Sequence, residues 1–264
     1  MKISLIQTSL AWENTQANRA NFERLMNTIQ EQTDIIVLPE MFSTAFTMKP
    51  ETVAESMDGE TVKWMKEMAA AKDCAVTGSI VIVENGNYYN RLLFVLPDGE
   101  IKTYDKRHLF SLAGEDKAYS AGAGRLIIEY RGWKICPLVC YDLRFPVFSR
   151  NTEDFDLLLY VANWPAPRVL AWDTLLRARA IENMCYAAGV NRIGEDSNGH
   201  SYLGHSQVLD CFGATIIQPS ENEGVFTAVL DKENITETRK KLSFLDDRDN
   251  FTLLPNQKSL RDPS

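Results

Sequence analysis

No part of this chain stays apolar for long, and its apolar stretches come in two alternating kinds. Asp34-Ile35-Ile36-Val37-Leu38 and Phe155-Asp156-Leu157-Leu158-Leu159-Tyr160-Val161 are nearly continuous runs, as expected of strands covered on both faces. Beside them, residues 18–30 place Ala20, Phe22, Leu25, Met26 and Ile29 at helical spacing. Residues 61–72 do the same with Val62, Met65, Met68 and Ala69. A chain that alternates buried strands with one-sided helices can satisfy both only by laying helices over sheets. Among the longest apolar runs is 157–164, about eight residues, well short of the roughly 18 needed to span a bilayer.

The same rhythm fills the rest of the sequence. A strand at 3–7 opens it. Strands at 75–83 and 88–96 flank Glu84-Asn85-Gly86-Asn87, a hairpin signal, and Pro97-Asp98-Gly99 turns the chain into a strand at 101–104. Further strands at 126–130 and 133–140 meet at Arg131-Gly132. Helices are expected at 145–151 and 172–183, strands at 186–191, 207–210, 215–218 and 225–230, and a helix at 231–240 before a polar tail. Each half runs strand, helix, strand and then hairpin-like pairs, so two helix-covered sheets are expected. With Gly 14 and Pro 10 in 264 residues, no linker breaks the chain. One domain over 1–264 is expected, its core about 1–231 and a C-terminal helix and tail at 232–264.

Charge narrows the function. Lys+Arg 28 against Asp+Glu 36 leaves −8, the wrong sign for nucleic acid or an anionic membrane. The first residues show no secretory signal, which points to the cytoplasm. Cys74, Cys136, Cys140, Cys185 and Cys211 are odd in number and contain no Cys-x-x-Cys pair, so neither disulfides nor a structural metal site is expected.

Three abrupt strand ends carry the chemistry. Glu40 follows Leu38-Pro39 and reads either as a surface carboxylate or as a general base beside Met41 and Phe42. Lys106 lies in Asp105-Lys106-Arg107-His108-Leu109-Phe110 and reads either as part of a solvated charge run or as a cation for a developing oxyanion. The acidic stretch after Gly114 offers carboxylates that would orient it. Cys140 closes a strand ahead of Tyr141-Asp142-Leu143-Arg144-Phe145-Pro146. It reads either as a core cysteine or as a nucleophile whose thiolate is favoured by a following helix N-terminus.

Together these stretches resemble the nitrilase, or carbon–nitrogen hydrolase, superfamily. The resemblance runs over nearly the whole chain and gains support from Asn163-Trp164-Pro165, from Arg177-Ala178-Arg179-Ala180-Ile181-Glu182-Asn183 and from Gly204-His205-Ser206. It implies an α/β fold, a four-layer αββα sandwich of two mixed sheets flanked by helices. It also implies a Glu40–Lys106–Cys140 triad with Glu115 in support, and a homodimer or larger oligomer. In the chemistry it implies, Cys140 forms a thioester, the backbone N–H at Tyr141 and Lys106 hold the oxyanion, and Glu40 carries protons; no cofactor is required.

The Lys106–Phe110 and Cys140–Pro146 segments look most like the omega-amidase branch, whose members hydrolyse the terminal amide of 2-oxoglutaramate and 2-oxosuccinamate. Such a small-molecule amide would need a cation for its far carboxylate, for which Arg125, Arg144, Arg168 and Arg192 are candidates. Phe42, Tyr119 and Trp164 are expected to wall the pocket. The alternatives are an amidase of this superfamily with another substrate, a hydrolase using a Cys–His pair, and an inactive relative that only binds.

Overall fold

The computed structural model describes residues 1–253; the part of the polar tail from 254 onward lies outside the described residues. In chain order the elements are β1 (Lys2–Gln7), α1 (Thr15–Met26), β2 (Ile35–Val37), α2 (Pro50–Val53), α3 (Glu60–Lys72), β3 (Ala75–Glu84), β4 (Asn87–Val95), β5 (Ile101–Asp105), α4 (Glu115–Ala118), β6 (Ile128–Tyr130) and β7 (Trp133–Val139). They continue with β8 (Leu157–Ala162), α5 (Val169–Asn183), β9 (Tyr186–Asn191), β10 (Ile193–Glu195), β11 (Ser201–Leu203), β12 (Gln207–Leu209), β13 (Thr215–Ile217), β14 (Gly224–Val229) and α6 (Lys232–Leu242).

Two six-stranded sheets result, ordered β14-β1-β2-β3-β4-β5 and β13-β12-β9-β8-β7-β6. Each is built the same way. Three parallel strands, β1-β2-β3 in one and β7-β8-β9 in the other, form the middle, and antiparallel strands extend both edges. The repeated rhythm of the two halves is therefore a repeat of topology.

Alternation along β2 explains the layering. Ile35 and Val37 point between the sheets, in one buried cluster with Leu92 and Phe94 of β4 and with Ile135, Leu157 and Leu159 of the second sheet. Ile36 and Leu38 point the other way, onto Phe22, Leu25 and Met26 of α1 and Val62 and Met65 of α3. Trp172, Leu176 and Ala180 of α5 join the core of the second sheet. The layers are thus helix, sheet, sheet, helix: the αββα sandwich.

Several expected boundaries shift for local reasons. The first helix starts earlier than 18, because the Asn14 side chain caps it by accepting from Ala17 N–H, and it ends at Met26, leaving Ile29 outside. The 84–87 hairpin turns through Asn85 (φ 51°) and Gly86 (φ 77°), left-handed positions suited to those two residues. The helix expected at 145–151 is absent: Cys140–Arg144 forms a short 3₁₀ turn and Phe145 leads into further turns. The β10–β11 hairpin was not anticipated from sequence; its strands have only three residues each. Among the described residues no helix is long and apolar enough to cross a membrane.

Candidate active site

The parallel strands of both sheets deliver their ends to one place. After β2, Leu38 N–H bonds to Thr77 O of β3, and Met41 (φ 41°) turns the chain back. Met41 and Phe42 N–H groups then donate to Ser79 Oγ and Ser79 O. This fastens the Glu40 backbone to β3 and buries its carboxylate completely.

Lys106 follows β5. Its N–H bonds to Asn90 O of β4, and its carbonyl accepts from Gly122 N–H. A side chain at Gly122 would strike the Asp105 carbonyl 2.0 Å away, so glycine lets the 119–125 segment lie against this strand end. The Lys106 ammonium donates to Glu40 Oε1 at 2.8 Å and to Glu115 Oε1 and Oε2 at 3.0 and 2.8 Å. Glu115 is held in turn by Phe110 N–H at 2.6 Å.

Burial works against the Lys106 charge, yet Glu115 and Glu40 beside it more than offset that and hold the ammonium above the ordinary lysine value. Two carboxylates share this one cation. Burial, with Glu40 adding to it, pushes the Glu115 carboxyl upward against the pull of Lys106. Two asparagines complete the cluster, Asn90, unmarked in the sequence, and Asn163, marked there only as part of the Asn163-Trp164-Pro165 motif. Asn90 Nδ2 donates to Glu40 Oε1 at 2.8 Å and to Glu115 Oε1 at 3.2 Å. Asn163, just past β8, donates its N–H to Glu40 Oε2 at 2.9 Å and its side-chain amide to Glu40 O at 2.5 Å.

Cys140 enters from the second sheet. It sits at φ 44° as the first residue of the 3₁₀ turn that follows β7. Asp142, fully buried, holds this elbow by accepting from Val139 N–H at 3.0 Å. The same carboxylate accepts from Tyr104 OH and His108 N–H and meets His108 Nδ1 at 2.7 Å. It thereby ties the cysteine elbow to the segment carrying Lys106. The Cys140 thiol faces Glu40, lies 3.9 Å from Asn163 O, and is pushed well above the ordinary thiol value by burial and by Glu40.

This corrects the helix-dipole argument. No helix follows Cys140, and its surroundings favour the protonated thiol, so a base must remove the proton when the thiol attacks.

Cys140 opens into a cavity of about 710 Å³, a size typical of small-molecule sites. Tyr141, Trp164, Arg144, Arg168, Phe110 and Phe46 are among its walls, and the loop between β10 and β11 contributes Asp196, Ser197, Asn198 and His200. Trp164 and Arg168 therefore lie where expected, and Tyr141 borders the same space. Phe42 does not: its ring is buried edge-on to Phe22 at 5.4 Å and beside Trp64, where burial of such a ring contributes about 2 kcal/mol. Tyr119 also points away, packing on Met41 and Val81 with its hydroxyl donating to Thr47 O.

Of the other arginines, Arg144 lines the cavity. Arg125 is spent on Phe148 O, Arg150 O and Glu153, and Arg192 on backbone carbonyls and the Tyr202 ring. His108 and His205 are turned to Asp142 and Asp173. No group of three or more metal-ligating side chains occurs among the described residues.

Comparison with known proteins identifies the family. The sequence profile of the family described as "Carbon-nitrogen hydrolase" matches residues 2–240. The chain is 46% identical over 261 residues to "Omega-amidase YafV" of Yersinia enterocolitica, covering 96% of this chain and 99% of that protein. It is 32% identical to "2-oxoglutaramate amidase" of Bacillus subtilis (strain 168), covering 93% and 96%. The crystal structure of XC1258 from Xanthomonas campestris, titled as a CN-hydrolase superfamily protein with an arsenic adduct in the active site, superposes with a TM-score of 0.94. It is 44% identical, with 96% of this chain and 98% of that one covered. With its αββα sandwich, its buried Glu, Lys and Cys at one junction of the sheets and these relatives, this chain belongs to the carbon–nitrogen hydrolase family.

Proposed function

We propose that this protein is an ω-amidase, hydrolysing the terminal carboxamide of short ω-monoamides of dicarboxylic acids, of the 2-oxoglutaramate and 2-oxosuccinamate type, to carboxylate and ammonia. One observation carries the substrate class. Two arginines, Arg144 and Arg168, border the cavity that holds Cys140. Their guanidinium groups rest on the faces of Trp164 at 4.8 Å and Phe110 at 5.4 Å. Neither has an ion-pair partner among the described residues. A guanidinium so placed is stiffened by the ring and free to grip a carboxylate in bidentate fashion. The printed names of the relatives support the same class.

The chemistry follows from the buried cluster. Glu40 takes the thiol proton as Cys140 Sγ bonds to the amide carbon. The carbonyl oxygen becomes an oxyanion, held by the Lys106 ammonium and a backbone N–H at Tyr141. Glu40 passes its proton to the nitrogen, the C–N bond breaks and ammonia leaves a thioester on Cys140. Water then attacks the thioester as Glu40 takes its proton, and the collapse returns that proton to the departing sulfur. Glu115 holds Lys106 in place throughout.

The test of the substrate class is ammonia release from succinamate and 2-oxosuccinamate beside butyramide. Far-end binding energy positions the reacting end, and a charge-assisted pair contributes enough for kcat/KM to favour the acid-bearing amides about a hundredfold. Arg168→Ala and Arg144→Ala together should remove most of that preference. Equal kcat/KM for succinamate and butyramide would leave an amidase of another substrate.

A further inference from the structure

Asn90 bridges the two buried carboxylates of the site. Its amide N–H groups reach two different carboxylates, Glu40 Oε1 and Glu115 Oε1, while its own Oδ1 is buried without a partner. Turning the amide over would aim that oxygen at both carboxylates, so the donors are fixed toward them. An amide that leaves its acceptor unpaired in order to supply two donors is held there for the donors.

The consequence lies in how the Glu40 lone pairs are divided. Each carboxylate oxygen offers about two acceptor positions. Oε1 accepts from Lys106 Nζ at 2.8 Å and Asn90 Nδ2 at 2.8 Å, and is full. Oε2 accepts Asn163 N–H, at 2.9 Å, and among the described residues has no second N–H donor. We infer that Asn90 is a positioning residue which, with Lys106, occupies Glu40 Oε1 and leaves Oε2 as the oxygen that exchanges protons with Cys140 and the leaving nitrogen.

The inference rests on the reading of Glu40 as the proton carrier. It adds the residue that chooses the reacting oxygen and keeps the second carboxylate tethered beside Lys106. Without Asn90, Oε1 regains an open lone pair. The Glu40 carboxylate can then turn or take its proton on the wrong side, and both carboxylates lose a donor that favours their charged form.

The experiment is the pH profile of kcat/KM on succinamate for Asn90→Ala, Asn90→Ser and Glu40→Gln, with thermal unfolding of each. The groups facing Glu40 are Lys106, Glu115, Cys140 and Tyr119, and all are kept in the Asn90 variants. Asn90→Ala should lower kcat about tenfold, the effect of losing one hydrogen bond to a charged group. KM should change less than kcat, and the acidic limb should move to higher pH. Asn90→Ser restores one donor and should recover part of kcat and part of the limb; it also serves if the alanine variant does not fold.

An inactive Glu40→Gln alongside Asn90 variants that lose thermal stability yet keep kcat and the limb would overturn the inference alone. An active Glu40→Gln would overturn the reading of Glu40 and this inference with it.

Discussion

Replacing Cys140 with alanine should abolish ammonia release, by at least about 10⁴-fold, as expected when the only nucleophile of a covalent mechanism is lost. The protein should still fold. Alanine tolerates φ 44° no worse than cysteine does, and one sulfur atom is lost at a cavity wall, so the midpoint of thermal unfolding should move by less than about 4 °C.

Iodoacetamide should label Cys140 first among the five cysteines. All five are buried, but Cys140 alone of them lines the cavity. The labelling should have a telling pH dependence. Burial and Glu40 push this thiol well above its ordinary value, so the thiolate fraction is small at neutral pH and increases with pH. The alkylation rate should therefore keep rising between about pH 6 and 9 without a plateau. A plateau near neutrality, or turnover retained in Cys140→Ala, would end the reading of Cys140 as a base-assisted nucleophile.

The second large effect is at Glu40. Glu40→Gln keeps shape and loses proton transfer, so kcat should fall about 10³-fold, within the range for loss of a general acid–base. Lys106→Met should fall by a similar factor through the oxyanion, and it also leaves two buried carboxylates without their cation, so it should lose stability as well. Glu40→Gln carries a signature of opposite sign. Removing a negative charge that raises the Cys140 thiol should speed alkylation of Cys140 at a given pH while turnover collapses. Slower alkylation in Glu40→Gln would mean that, at rest, the proton already sits on Glu40 and the sulfur is ionised.

Glu40, Lys106 and Cys140, which the structure brings together, could be picked out because each lies in a short contiguous motif at a strand end; each stretch alone left a structural reading open, and the resemblance joined them. The roles of Asn90 and of Asn163, whose motif was visible but whose contact with Glu40 was not, could not be picked out. Asn90 lies inside a strand between Tyr89 and Arg91, where nothing local distinguishes a side chain facing a carboxylate pair from one facing solvent; only the register of β3, β4 and β5 decides. Phe42 and Tyr119 show the complementary failure. An aromatic residue near a motif is close in sequence, but the left-handed turn at Met41 sends Phe42 into the helix layer.

The misjudged helix at 145–151 has a local cause. Pro146 fits the first turn of a helix as readily as a plain turn, and the choice is made by Asp142, whose carboxylate is engaged by Val139, Tyr104 and His108. Of the four candidate arginines, Arg144 and Arg168 reach the cavity, the Arg144 side chain by crossing Trp164.

The last strand among the described residues completes the first sheet. β14 pairs along the whole of β1, and Met1 and Leu230 exchange hydrogen bonds at the junction. During synthesis, Glu40, Asn90, Lys106 and Glu115 all emerge long before that strand, and Cys140 and Asn163 follow in the second sheet. Until residues 224–229 arrive, β1 has one open side, and a sheet that must close over so long a stretch of chain closes late. A nascent or truncated chain that stops short of residue 224 therefore carries every reactive group without the frame that aligns them, so hydrolytic competence should appear only once residues 224–229 are in place.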